Sequence, residues 1–364
     1  MRTTIVAVSL LLASAATAQI TRHVPPGFGN VEGNRTFTYP FGRQDTKLQI
    51  LVDAGWVTTG VGIINSIAMR PEGSLTATYA GYSKAYTLTL WTTPVTAAAM
   101  SNDPVANTGN TSPTLAFNGN LSLPTATPAT RLPAPFGALF PLNTPYVFVG
   151  STGNLLAQID TADAVTPPGS WNVDAVFRRS NSQELILASV SPNCVNGSGH
   201  ALNLTPDRTS GAIGGALTLT PRQTPTTAFA LAAVFLGSTN RAPGYPFDLT
   251  PLGLTNCFWA IDMIANQIAV PSGGVFAPVQ WPIPAAPWLV NLALYHQALG
   301  LASPTSLANA VVSEAWVTVV HPGSGYVTQA NSAFFVASSA SWFLSAAAGT
   351  GGLVPVLELD GIFP

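Results

Sequence analysis

The chain has 364 residues, of which 47% are apolar but only 8% charged, about a third of the ~25% typical of soluble globular proteins. A mean hydropathy of +0.33 and a formal net charge of -2 exclude an intrinsically disordered chain. Thirteen Lys and Arg against fifteen Asp and Glu leave no basic surplus for nucleic-acid phosphates, so nucleic acid is not an expected partner.

The chain opens with Arg2, the apolar run Ile5 to Ala13, and the small-x-small site Ala16-Thr17-Ala18. That pattern predicts a signal peptide over 1–18, cleaved before Gln19. The run is too short for the ~20 residues that span a bilayer, so no transmembrane span is expected. The predicted location is secreted or cell-surface, with the periplasm as a further compartment.

Composition also selects the fold class. Only two lysines (Lys47, Lys84) and five glutamates (Glu32, Glu72, Glu184, Glu314, Glu358) are present. An exposed helix face is built mainly from such residues, so this chain can clothe few helices. Thr, Ser and Asn must make its polar faces, and they suit strands, turns and caps. The expectation is an all-β protein with two antiparallel β-sandwich domains, jelly-roll or Ig-like, following the signal peptide.

In chain order, strands are predicted at Leu48 to Val52 and Ile63 to Met69. A hairpin is expected from Leu75 to Tyr79 and Tyr86 to Leu90 around a turn at Gly81-Tyr82-Ser83-Lys84. A short helix or turn fits Ala97 to Ser101. Further strands follow at Thr114 to Leu123, Tyr146 to Val149, Leu155 to Ile159, Val173 to Phe177 and Leu185 to Val190. A break near Ser191-Pro192-Asn193 separates a first domain, 19–190, from a second, 191–322. The second carries strands at Ala216 to Thr220, Phe229 to Leu236, Phe258 to Met263, Leu289 to Leu294 and Val311 to Val320. Residues 323–364 form a C-terminal extension, read as strands packing back on a domain or as a secretion-associated end.

Cys194 and Cys257 are the only cysteines, and an even pair in an exported chain reads as one disulfide. It would close a loop that the chain-entropy model values at roughly 4 kcal/mol.

Motifs for chemistry are sparse. No Gly-x-Ser-x-Gly elbow occurs, and Gly197-Ser198-Gly199-His200 reads as a polar turn. His23, His200, His296 and His321 stand singly, without zinc-ligand spacing; His296 lies in an apolar strand and reads as packed. Asp53-Ala54-Gly55 reads as a strand end rather than half of an aspartic-protease dyad. Asp160-Thr161-Ala162-Asp163 offers oxygens to Ca2+, though a solvated turn is the plainer reading. Paired carboxylates of a glycosidase kind have no local motif. No catalytic residue and no resident cofactor are assigned.

Eight tryptophans remain as candidate contacts: Trp56, Trp91, Trp171, Trp259, Trp281, Trp288, Trp316 and Trp342. Most are expected in packing, with Trp281 and Trp288 as the candidate ligand-binding pair. Asn-x-Ser/Thr occurs at Asn34, Asn110, Asn120, Asn196 and Asn203.

Several short motifs carry a resemblance. Val24-Pro25-Pro26-Gly27, Glu32-Gly33-Asn34, Ile67-Ala68-Met69-Arg70-Pro71 and Gly153-Asn154-Leu155-Leu156 resemble an N-terminal module of uncharacterised secreted proteins of planctomycete-type bacteria, similar to that of some PEP-CTERM sorted proteins. Cys194, Gly237, Cys257, Ile283-Pro284, Leu289, Tyr295, Gln297 and Asn309-Ala310 resemble a second domain of the same repertoire. The chain departs from the pattern at His296, where relatives carry Val or Leu, and lacks the usual sorting tail. The resemblance implies a β-rich extracellular protein and brings no catalytic residues.

The functional expectation is a non-enzymatic cell-surface or extracellular structural or interaction protein, with envelope or matrix polysaccharide or protein as partner. A carbohydrate-binding module using Trp281 and Trp288 is the alternative, and a secreted hydrolase the less favoured third reading.

Overall fold

The computed structural model describes residues 19–73, 77–129, 132–161, 171–178, 186–191, 194–207, 210–226, 228–239, 246–303, 309–321, 330–336, 341–344 and 352–363. The expected signal peptide, residues 1–18, lies outside them.

The described chain is almost entirely strands. The first are β1 (Ile20–Val24), β2 (Arg35–Phe37), β3 (Lys47–Val52), β4 (Val61–Met69), β5 (Tyr82–Thr93), β6 (Thr114–Leu123), β7 (Ala138–Val149), β8 (Asn154–Asp160) and β9 (Val173–Arg178). The middle of the chain gives β10 (Ile186–Ser191), β11 (Ala201–Pro206), β12 (Ala216–Thr224), β13 (Leu231–Gly237), β14 (Phe247–Asp248), β15 (Phe258–Trp259), β16 (Ala265–Ala269), β17 (Pro271–Ser272), β18 (Val275–Phe276) and β19 (Val279–Pro282). Then come β20 (Ala293–Leu301), β21 (Val311–Val312), β22 (Ala315–Val319), β23 (Ala330–Val336), β24 (Ser341–Leu344), β25 (Gly352–Pro355) and β26 (Leu357–Ile362). Among the described residues the α-helices are two single turns, α1 (Ala54–Val57) and α2 (Pro104–Asn107). The all-β class follows, as the scarcity of Lys and Glu requires.

Two large cores organise these strands. The first lies between a four-stranded sheet, β1-β26-β4-β7, and a six-stranded sheet, β24-β23-β3-β8-β5-β6. Ile64, Ile67, Met69, Phe140, Phe148, Leu357 and Leu359 come from one sheet; Leu48, Ile50, Leu88, Leu90, Leu155 and Ile159 from the other. Each set alternates along its strand, which is how two sheets interdigitate in a sandwich. The outer face of the six-stranded sheet is covered too, by a small cluster of Leu51, Trp91, Ala97, Met100, Leu156 and Ala333. Double coverage explains why β3 is buried at five consecutive positions instead of alternating.

The second core lies between the sheet β10-β22-β20-β13-β16 and the three-stranded sheet β11-β12-β19. Leu202, Leu204, Leu217 and Leu219 face Ala232, Val234, Ala298, Val317 and Val319 there. Cys194 and Cys257 form a disulfide at its edge.

The chain returns to its start. β26 pairs with both β1 and β4, β23 pairs with β3, and β25 pairs with β9. Strands from residues 330 to 362 thus complete the sheets of the first core.

The expected hairpin of Leu75 to Tyr79 with Tyr86 to Leu90 is not formed. Leu75 and Thr76 lie outside the described residues, Tyr79 makes only an isolated bridge to Ala126, and β5 pairs instead with β6 and β8. Alternation identifies a strand but not its partner. The assumed turn is part of β5, because Lys84 occupies an inward position: its side chain is buried with Nζ 3.5 Å from the Arg43 carbonyl. A second shift occurs near Leu289, where a short 3-10 turn over Pro287–Leu289 precedes β20. Pro287 fixes that turn's first dihedral and delays the strand.

Candidate functional site

The most unusual chemistry lies where the two cores meet, under the segment joining β1 to β2. Phe28 and Val31 of that segment are fully buried in the second core, although Val24 before them and Phe37 after them belong to the first. Gly27 takes a left-handed φ of 88° there, and a Cβ on it would sit 2.4 Å from the Asn291 carbonyl, so only glycine lets the segment pass.

Strand register builds the site. Pro71 bridges Val173 antiparallel, which sets Arg70 opposite Asp174 and Glu72 opposite Asn172; Thr36 also pairs with Asp174. Arg70, Glu72, Asn172 and Asp174 therefore share one face, and Glu32 reaches it from the linking segment. The Arg70 Nε donates to Asp174 Oδ2 at 2.7 Å, its Nη1 to the Gly29 carbonyl at 3.2 Å, and its Nη2 to the Val31 carbonyl. Both Asp174 oxygens accept the Gly33 N–H, at 2.8 and 3.0 Å. Glu32 Oε1 accepts the Gly73 N–H at 2.6 Å, and the Thr36 hydroxyl donates to Glu72 Oε2 at 2.8 Å. Gly33 is required here by contact: a Cβ would fall 2.1 Å from the Ala175 carbonyl.

Arg70 and Asp174 are 0% exposed, Glu32 3% and Glu72 6%. Burial, reinforced by the charge of Asp174 and only partly opposed by Arg70, pushes Glu32 up to about 9. Asp174 is pushed up to about 6, since burial outweighs the adjacent guanidinium. A folded-state pKa above the unfolded value means a proton is taken up on folding. The stability contributed by Glu32 is then full below its ordinary range near 4.5 and is lost as pH rises through about 9.

A groove of about 780 Å³ opens beside this junction, lined by Thr21, Arg22, His23, Gly27, Trp56, Thr58, Thr59 and Asn291. Its wall is hydroxyl, amide and indole, with His23 stacked on Phe136 and 3.3 Å from Glu358 Oε2. Burial holds His23 below the usual imidazole range despite that carboxylate. A smaller hollow of about 290 Å³ lies by the disulfide, lined by Asn196, Thr255, Asn256 and Asn309.

The residues singled out by sequence are dispersed. Trp281 lies on β19, partly buried against the second core, whereas Trp288 stands 79% exposed on the turn before β20. No ring contact joins them. Trp56, Trp91, Trp171 and Trp259 are buried. Ser198 and His200 both donate backbone N–H groups to Asn196 Oδ1 at 3.0 Å, closing a polar turn. His296 is wholly buried on β20, and burial drives it down to about 3. His321 lies 3.3 Å from the Ser210 carbonyl. Asp53 precedes the single turn that follows β3 without capping it by its side chain, and accepts the Ala97 N–H at 2.7 Å. Asp160 accepts from Gln158 at 2.7 Å, and Asp163 is outside the described residues. Of the Asn-x-Ser/Thr sites, Asn34 is consumed by two hydrogen bonds to the Phe177 backbone, while Asn110 and Asn120 are exposed.

Sequence reasoning missed the junction cluster. Its parts are scattered over 32–174, and no local spacing joins them. The available signal was the pair of short motifs Glu32-Gly33-Asn34 and Arg70-Pro71, both of which contribute to the cluster.

Fold and site together define an all-β, sandwich-type protein with one disulfide and a buried ionic junction. Comparison with protein-family models finds no match, and comparison with curated proteins likewise finds none. Among the described residues no helix is long and apolar enough to cross a membrane.

Proposed function

We propose that this chain is an exported, non-enzymatic structural or interaction protein of the cell surface or extracellular matrix, built as two sandwich domains of the secreted planctomycete-type repertoire. One observation carries the reading. The carboxylates with the most shifted protonation, Glu32 and Asp174, are enclosed by backbone N–H groups and Arg70 rather than turned toward the groove. Buried, hydrogen-bonded carboxyl groups of this kind tie segments together, whereas a general acid must reach a substrate. Envelope or matrix polysaccharide or protein is the partner class.

A second reading, carbohydrate binding, is favoured by Trp288 alone. At 79% exposure its ring face is free to stack on a sugar, and Asn291, three residues on, lines the groove. Retention of the purified protein on isolated envelope material and on a glycan array separates the two. The structural reading expects envelope retention unchanged by Trp288→Ala. Glycan binding lost in that variant transfers the weight to the second reading. Turnover of a glycoside, ester or peptide substrate overturns both in favour of a hydrolase.

A further inference from the structure

The junction brings three carboxylates together in one buried place. Glu32, Glu72 and Asp174 each place an oxygen within 4.8 Å of the other two. Two oxygens each about 2.4 Å from one calcium ion reach no further apart than that. Among the described residues Arg70 is ion-paired within the cluster, to Asp174.

Two observations beyond the acidity point to a ligand. Glu32 Oε2 is buried and has no hydrogen-bond partner, although Oε1 of the same carboxylate is well bound. Asn172 Oδ1, a neutral acceptor, is also buried without a partner, while its Nδ2 contacts the Tyr79 hydroxyl at 3.3 Å. Asn172 precedes Asp174 by two residues and faces the same side. Buried acceptors left in this way are rare in native proteins and ask for a partner.

The geometry points to a divalent-cation site at this junction, held by Glu32, Glu72, Asp174 and the Asn172 amide oxygen, and taking calcium. The donors are all hard oxygens, carboxylate and amide, which is the calcium set rather than that of zinc or copper. Thr36 on Glu72 and Gly33 on Asp174 hold the ligands in orientation, as outer partners do in metal sites. The ion would clamp the Glu32 segment, and with it Phe28 and Val31 in the second core, onto the strands of the first. It would be structural, independent of what the exterior binds.

The test uses the full mature chain, stripped with EDTA and dialysed into metal-free buffer at pH 8. Calorimetric titration with CaCl2 is expected to give about one ion per chain. Thermal melts are expected to rise by about 2 °C or more at millimolar calcium. Glu32→Gln removes a ligand charge, so its melt in EDTA should equal or exceed that of the wild type while the calcium response is lost. Glu72→Gln gives a second reading of the same loss, and the wild-type titration decides even where a variant does not fold. No binding of Ca2+ or Mg2+ by the wild type, with melts unchanged, overturns the site in favour of carboxyls neutralised by protons. An equal response in wild type and both variants also overturns it and places the ion elsewhere, for instance at the Asp160 turn.

Discussion

The two cores are held together by different means. The first is closed by topology: β26, from residues 357–362, lies between β1 and β4, so the sheet exists only once the last strand has come home. It also contains the buried ions, through Arg70 and Asp174. The second core draws its strands from one stretch of the chain and adds the Cys194–Cys257 disulfide. From Met263 to Ser313 it contains no Asp, Glu, Lys or Arg at all. Its edge strand β16 and neighbouring loops expose Met263, Ile264, Ile268, Val270 and Val275. The ionic pair thus ties into the first set of strands, while a stretch of fifty-one residues in the second is held without any charge.

The largest expected effect falls on the ionic half. Arg70→Met keeps a long side chain against Phe136, whose ring centre lies 5.3 Å from the guanidinium carbon, but strands the buried carboxylates and the Gly29 and Val31 carbonyls. Removing one partner of a buried pair costs about 3–5 kcal/mol. Urea unfolding at pH 7 should show that loss. A change below about 1 kcal/mol would mean that the remaining carboxylates are fully neutralised without Arg70.

Breaking the disulfide probes the other half. Replacing Cys194 and Cys257 with Ala releases a loop with a sequence separation of 63, which typically costs about 2–4 kcal/mol. The loss should register in amide exchange of β13, β20 and β22 before that of β3 and β8. Equal loss of protection in both sets would show that the cores unfold as one unit, coupled through Phe28 and Val31.

The all-β class and the Cys194–Cys257 pair were legible in sequence, and the limits of that reading are physical. Runs of alternating Leu, Ile, Val, Ala and Thr bounded by Gly, Pro and Asn placed β4, β6, β8 and β9 within a residue or two. The same alternation did not name partners, which is why Tyr86 to Leu90 was matched with the wrong neighbour. Two-residue strands such as β17 and β18 have too few residues to show a period. The junction was illegible for another reason: Arg70 opposite Asp174 is a consequence of sheet register between segments 104 residues apart. Tyr295 and Gln297 are internal fasteners of the second core. Gln297 accepts from the Ala260 N–H and donates to the Phe258 and Ser313 carbonyls, and the Tyr295 hydroxyl donates to the Asn30 carbonyl across the junction.

His296 gives the smallest of the three effects and the one whose sign differs between the halves. On β20 it pairs in register with Leu236 and Trp316. It lies between the pinned Tyr295 and Gln297 on the opposite face, yet is fully buried. Its pKa is depressed to about 3 from 6.5, so the folded ring stays neutral where the unfolded one is protonated. Its stability contribution is thus full above about 6.5 and is lost as pH falls toward 3, opposite to Glu32, whose contribution is lost as pH rises toward 9. His296→Leu removes the acid-side loss. The variant's advantage over wild type should grow by about 2 kcal/mol between pH 8 and pH 5, one pKa unit being worth about 1.4 kcal/mol. Parallel stability profiles for the two chains across that range would show instead that His296 is protonated in the fold, with a counter-charge or water reaching β20.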